Sequence, residues 1–335
     1  MNSNLLYEKF QNLCKNPHIG DGYDVTNVDG TYHKLGISQE KYPIFFISTN
    51  DSQSPIRDLS LENLDVRYCL SCRLINDSGE TETNRYSMIT LRSHDASLHM
   101  QFIDIVLLII GKLAPLPSKH DIAKEVEGLV SIFEAFKRPP KKKIQGLWAE
   151  LLVIEQSSNP ELLISAWHAD NSAKYDFTMG RDKLEIKSTS SEQRIHKITL
   201  DQLNPSENSR LLIASTIVRE SGHSNEGLSI DELRDKILEK VTNTEAKLRL
   251  CRIIADTIGT EVDNLKRMFF DYVGASDSLK FYDYKKVPKI EKETVERGVS
   301  KVSFDSDFSG IPDILNGGAS FSLDDSPLFL SLIVK

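Results

Sequence analysis

The stretch 175–187 constrains the fold of this chain more than any other. Tyr175 and Phe177 alternate with Asp176 and Thr178, Leu184 and Ile186 alternate with Glu185 and Lys187, and Gly180 lies between the two runs. Such alternation on either side of a glycine predicts a β-hairpin. A two-residue turn at Gly180-Arg181 pairs Met179 with Asp182 and sets Asp176 opposite Glu185. Tyr175, Phe177, Leu184 and Ile186 then share one face, and Asp176, Glu185 and Lys187 share the other.

Two carboxylates opposed on one face repel each other, and something must offset that cost. A divalent cation does so, because Mg²⁺ takes one or two carboxylates together with water and phosphate oxygens. A lysine two residues beyond Glu185 falls on the same face, where it can orient a metal-bound water or neutralise a phosphate. The pattern outlines a site for cleaving phosphodiesters. The plainer reading is a solvated strand face, since Glu245-Ala246-Lys247 and Asp283-Tyr284-Lys285 repeat the acidic-x-Lys spacing.

A net charge of −8 over 335 residues excludes a uniformly basic, nucleic-acid-coating surface. Any such contact is confined to patches or carried by a metal. The cysteines at 14, 69, 72 and 251 make no disulfide framework, and Cys69-x-x-Cys72 lacks the second pair or histidines of a zinc site. Free thiols fit a cytoplasmic location. The chain opens without a signal-peptide pattern. Its most apolar run, 102–110, contains Asp104 and is too short to span a bilayer, so no membrane partner is expected.

Residues 1–138 read as a β-rich domain with two helices: strands over 43–48, 67–75 and 85–91, then helices over 97–113 and 120–136. The run Lys137-Arg138-Pro139-Pro140-Lys141-Lys142-Lys143 marks a boundary. It is either a solvated linker or a strip in which Lys141, Lys142 and Lys143 touch phosphates. A helix over 144–156 follows, with Ile144, Leu147, Trp148, Leu151 and Leu152 on its apolar stripe. Glu150 lies at the border of that stripe and Glu155 near its centre. Either is a candidate third carboxylate.

Beyond the hairpin come a short strand over 194–198, a capping box at Thr199-Leu200-Asp201-Gln202 opening a short helix, and an apolar strand over 210–218. Residues 139–220 thus read helix, hairpin, strand, helix, strand. Residues 221–335 read as an α+β extension packed on that core. It has a loop over 222–227, a capping box at Ser229, helices to about 241, over 243–257 and over 261–267, a second hairpin over 269–284, and closing strands over 297–304 and 328–334.

The order of elements, with one acid entering the hairpin and Glu-x-Lys on its second strand, resembles the PD-(D/E)XK nuclease superfamily. It is most similar to an uncharacterised bacterial family of PD-(D/E)XK motif proteins encoded near restriction and phage-defence genes. Gly146-Leu147-Trp148-Ala149-Glu150-Leu151-Leu152, Trp167, Tyr175-Asp176-Phe177, Glu185-Ile186-Lys187-Ser188 and the segment His196 to Leu203 carry the likeness. Tyr175 stands where the superfamily has proline. The resemblance implies a restriction-endonuclease-like α/β (α+β) core, a mixed central sheet flanked by helices. It implies Asp176 and Glu185 as ligands of Mg²⁺ (or Mn²⁺), Lys187 as the residue assisting the attacking water, and Glu150 rather than Glu155 as the helix acid.

The expected activity is metal-dependent cleavage of double-stranded DNA, of restriction type, in phage defence. Arg194 and His196, close behind the hairpin, are expected to hold phosphate. Other restriction or defence proteins and a second copy of the chain are the further expected partners. The rival reading is a non-cleaving DNA-binding or assembly subunit with the same fold.

Overall fold

The structure is a computed structural model and describes residues 3–17, 21–50, 56–168, 173–222, 227–315 and 325–332. The chain divides into two compact units, Met1–Lys137 and Arg138–Lys335.

The first unit runs through α1 (Ser3–Lys15), β1 (Tyr23–Asn27), β2 (Lys34–Ile37), β3 (Pro43–Ser48), β4 (Leu59–Ser60), β5 (Leu64–Ile75), β6 (Thr81–Leu91), α2 (Ala96–Lys112) and α3 (Lys119–Ala135). Strand β3 is buried from Pro43 to Ile47, as a continuous apolar run covered on both faces should be. The sheet order is β1-β2-β3-β6-β5-β4, and β1 also pairs in parallel with β5, so the sheet closes on itself. Both helices begin at side-chain caps, Asp95 for α2 and a Ser118–Asp121 capping box for α3. Strands β1 and β2 are additions to the sequence reading. They are short and sit among turn-forming residues that hide their alternation.

The second unit contains α4 (Ile144–Gln156), α5 (Pro160–Ala166), β7 (Phe177–Met179), β8 (Asp182–Thr189), β9 (Ile195–Thr199), α6 (Leu200–Leu203), β10 (Arg210–Ile217) and β11 (Glu220–Ser221). It continues with α7 (Ile230–Lys240), α8 (Thr244–Ile258), α9 (Asn264–Arg267), β12 (Phe269–Phe270), α10 (Tyr272–Ser278), β13 (Lys280–Asp283), β14 (Ser303–Asp307) and α11 (Pro327–Leu330). Its central sheet is mixed, in the order β13-β10-β8-β7, with β8 and β10 parallel and both outer pairings antiparallel.

That register sorts the side chains. Glu185 pairs with Ile213 and Lys187 with Ser215, so these four share one face of the sheet. Ile213 packs there with Tyr175, Ile198, Leu203, Leu211 and Tyr282. Leu184 and Ile186 point to the opposite face, and α4 packs against β8. A strand between two others, covered on both faces, buries even the acids Asp182 and Glu185, while Lys183 and Lys187 stay half-buried.

Three expectations for the C-terminal part fail, each for a local reason. The hairpin over 269–284 does not form: β12 pairs with β11, β13 pairs with β10, and α10 intervenes. Asp271 starts that helix, its Oδ1 accepting from Gly274 N over 2.9 Å. Residues 327–330 are helical rather than extended, with Ser326 as cap and Pro327 in the first turn, where proline is preorganised. The strand expected over 297–304 lies instead at Ser303–Asp307, antiparallel to β9. Residues 223–226 of the expected loop and 333–334 of the expected last strand lie outside the described residues.

Candidate active site

The hairpin turns at Gly180, whose φ of +57° is the left-handed conformation that a tight two-residue turn requires. Its register is Met179 with Asp182, Thr178 with Lys183 and Phe177 with Leu184. The ladder ends there. The carbonyl of Asp176 accepts from His168 N over 2.8 Å, and its side chain turns inward so that Oδ2 accepts from Ile186 N over 2.8 Å. Asp176 is therefore anchored one residue past Glu185 on β8 rather than paired squarely with it.

The other Asp176 oxygen meets a lysine. Lys142 Nζ donates to Asp176 Oδ1 over 2.8 Å and to Glu150 Oε1 over 2.7 Å. Glu150, buried on α4, also accepts from the Trp167 indole N–H over 2.7 Å. Lys142 is held in this position by its own backbone neighbours. Lys141 N donates to Thr257 O at the end of α8 over 2.8 Å, and Thr260 N donates to Arg138 O over 2.9 Å. Gly259 makes this docking feasible: its φ is +52°, and a Cβ there would fall within 2.1 Å of Arg138 O. The basic run is thus clamped to the domain, and its middle lysine points inward.

On the other side of Asp176, Glu185 Oε1 accepts from Lys187 Nζ over 2.7 Å and from Gln202 Nε2 over 2.6 Å. The Gln202 Oε1 atom accepts from Thr199 N over 3.1 Å, closing the capping box of α6. One amide therefore serves the helix cap and the buried acid together.

Three carboxylates and two ammonium groups share this locus. Burial pushes the Glu150 carboxyl up to about 8, with the charge of Asp176 adding to the shift and Lys142 opposing it. Burial and Asp176 likewise raise Glu185 to about 7 against the pull of Lys187. Burial by itself lowers Lys142, but Glu150 and Asp176 outweigh it and the ammonium is held well above its ordinary range. Lys142 and Glu150 both shift upward, which a simple ion pair would not do. Lys142 retains its ammonium, the locus holds one more carboxylate than ammonium, and burial favours protons on the two glutamates.

That surplus fits a hard divalent cation. All the donors are oxygens, and Mg²⁺ is satisfied by one or two carboxylates with waters completing its octahedron. Among the described residues no group of three or more His, Cys, Asp or Glu has metal-holding geometry.

The structure disperses the other expected phosphate ligands. Arg194 is buried, donating to Ser215 O over 2.8 Å, to Ser215 Oγ over 2.9 Å and to Ser278 O. His196 Nε2 lies 2.8 Å from the same Ser215 Oγ, and burial lowers its imidazole to about 4, with Lys187 and Arg194 adding to the effect. A neutral, buried histidine and a guanidinium spent on protein carbonyls have nothing to offer a phosphate, which corrects the sequence expectation for both. Lys142 is likewise diverted to carboxylates. Lys141 and Lys143 keep accessible side chains and line a cavity of about 740 Å³ beside Lys142. Glu155 is buried but served by Lys240 Nζ over 2.7 Å and Tyr272 OH over 2.9 Å.

Sequence reasoning missed the inward turn of Lys142 and the bond of Gln202 to Glu185. The capping box was the available signal for Gln202, since it fixed the backbone from which that side chain reaches.

A mixed sheet carrying a hairpin-borne Asp, a Glu-x-Lys strand and an acid from the packed helix α4 belongs to the restriction-endonuclease-like class of α+β folds. The chain belongs to the family described as "Putative PD-(D/E)XK family member, (DUF4420)", whose sequence model matches residues 16–309. No curated protein and no solved structure matches it.

Proposed function

We propose that this protein is a metal-dependent endonuclease of restriction type, hydrolysing phosphodiester bonds in double-stranded DNA as defence against foreign DNA. The observation that carries the reading is the convergence of half-buried Asp176 and Lys187 with buried Glu185 and the buried helix acid Glu150 in one carboxylate-rich cluster. Asp176 and Glu185 would hold Mg²⁺ or Mn²⁺. The bound ion would supply Lewis acidity and a more acidic water. Lys187 Nζ lies 2.7 Å from Glu185 Oε1, where it can orient a nucleophilic water. Glu150 holds Lys142 and the Trp167 indole, and so fixes the approach of α4. Lys141 and Lys143, which line the adjoining cavity, would meet the flanking phosphates. The reading extends to a cytoplasmic protein acting with other restriction or defence proteins or as a homodimer.

The test is plasmid cleavage in Mg²⁺ by the wild-type chain and by Asp176→Ala, Glu185→Ala and Lys187→Ala, with folding checked by circular dichroism. Each variant should lose cutting while staying folded. Wild-type-like cutting by any two ends the proposal.

One observation favours the second reading, a non-cleaving subunit of a defence complex: Lys142 Nζ supplies Asp176 and Glu150 with a cation of the protein's own. Calorimetry separates the two. Mn²⁺ binding that disappears in Asp176→Ala supports the enzyme, and no binding supports the scaffold.

A further inference from the structure

We propose that Lys142 is a built-in cation that occupies the carboxylate site until a substrate phosphate draws it away, so that DNA binding and metal loading are coupled. The inference rests on the nuclease reading and adds a control that the residues themselves supply.

Asp176 Oδ2 already accepts from Ile186 N over 2.8 Å, so Oδ1 is the oxygen left for a cation, and the Lys142 ammonium lies 2.8 Å from it and 2.7 Å from Glu150 Oε1. Two cations cannot share that oxygen closely, because their mutual repulsion in a poorly solvated site is large. Metal entry at Asp176 therefore requires the ammonium to leave. The backbone cannot take it away, since Lys141 N is bonded to Thr257 O and Lys143 is the N-cap residue of α4. The side chain can. Lys142 itself lines the cavity of about 740 Å³ that it shares with Lys141 and Lys143. It keeps a quarter of its side-chain surface exposed.

That cavity attracts anions at its basic end. Three consecutive lysines border it, and the first turn of α4 holds no acid and receives no side-chain cap. Glu220 and Glu261 lie elsewhere on its wall. A phosphodiester entering beside Lys141 and Lys143 offers Lys142 a second anion, and the departing ammonium uncovers Asp176. Linkage makes the effect reciprocal: whatever factor DNA adds to metal affinity, metal adds to DNA affinity.

The test is Mn²⁺ titration by calorimetry, without DNA, of the wild-type chain, Lys142→Met and Lys142→Gln. Both variants should bind Mn²⁺ at least about tenfold more tightly than the wild type, an effect of 1.4 kcal/mol or more. Their melting temperatures should fall without metal and recover with it, while the wild type responds little. In a Lys187→Ala background, used so that DNA stays intact, a short duplex should tighten Mn²⁺ binding when Lys142 is present and not when it is methionine. Equal or weaker Mn²⁺ affinity in both Lys142 variants, or no effect of the duplex, overturns the proposal. If every form binds Mn²⁺ alike, only the internal cation is lost; if none binds, the nuclease reading falls with it.

Discussion

Gln202 Nε2 donates to Glu185 Oε1 over 2.6 Å, tying the capping box of a single-turn helix to the acid of the Glu-x-Lys strand. The glutamine also lies 3.4 Å from Lys187 Nζ, so one amide borders both members of the motif. Gln202→Ala removes a hydrogen bond to a buried charged group, worth about 1.5–3 kcal/mol, and loosens the cap. Cleavage should fall about 10–100-fold, as for groups that orient a metal ligand. Urea unfolding and single-turnover cleavage read the two effects separately. An unchanged cleavage rate would show that Glu185 needs no such support.

The raised glutamates make stability depend on pH in a defined direction. Glu150 and Glu185 rise from an ordinary 4.5 to about 8 and about 7. The folded chain therefore binds more protons than the unfolded chain between those values. Their contribution is complete below pH 4.5 and lost as pH rises through 7 and 8. The buried histidines His33 and His196, both lowered to about 4, act oppositely, but only below 6.5. Between pH 6.5 and 8 the carboxylates act against no histidine. Metal-free unfolding free energy should thus fall by a few kcal/mol over that interval, and Glu150→Gln should flatten the decline. Saturating Mg²⁺ should also flatten it, since a bound cation takes over the role of the protons. Urea titrations at several pH values decide it.

The hairpin was legible in its turn glycine and in the register from Phe177 to Leu184, but not in Tyr175, which the alternation set beside Leu184 and Ile186 and which packs with Ile213 on the Glu185 face once the ladder stops at Phe177. The capping boxes at Thr199 and Ser229 were legible because their spacing is local, and both form. Lys142 was not. Both sequence readings of the basic run assume that its lysines face outward. Nothing local announces that Lys141 N will bond to Thr257 O and turn the next side chain inward. Arg194 and His196 failed similarly: they follow the hairpin in the chain, but Ser215 and Ser278 arrive from β10 and the end of α10 to claim them. The false hairpin near 280 shows the limit of pattern alone. Its strands have the right residues, yet Asp271 caps a helix between them.

Helical spacing put Glu155 near the centre of the apolar stripe of α4, and it is indeed buried. Its partner Lys240 comes from α7, which spacing cannot foresee. Glu155→Gln should cost about 2 kcal/mol of stability, because a buried acceptor keeps its place but loses its charge against a partly exposed ammonium. Cleavage by the folded protein should stay within about twofold of wild type. A large loss of cleavage at full folding would instead make Glu155 a member of the site.

Arg194 and the outer lysines should separate in their response to salt. Arg194→Ala leaves Ser215 O, Ser215 Oγ and Ser278 O without their donor in the core, which should cost about 3 kcal/mol. It should not alter how duplex affinity changes with salt, since the guanidinium never reaches a phosphate. Lys141→Ala with Lys143→Ala should do the reverse. Each exposed ammonium that neutralises one phosphate contributes about −0.9 to the slope of log affinity against log salt, so the pair should reduce that slope by about 1.8 with little effect on melting. Fluorescence anisotropy across a salt series, beside thermal melts, measures both. If Arg194→Ala lowers the slope while melting normally, the guanidinium reaches DNA and is not an internal structural group.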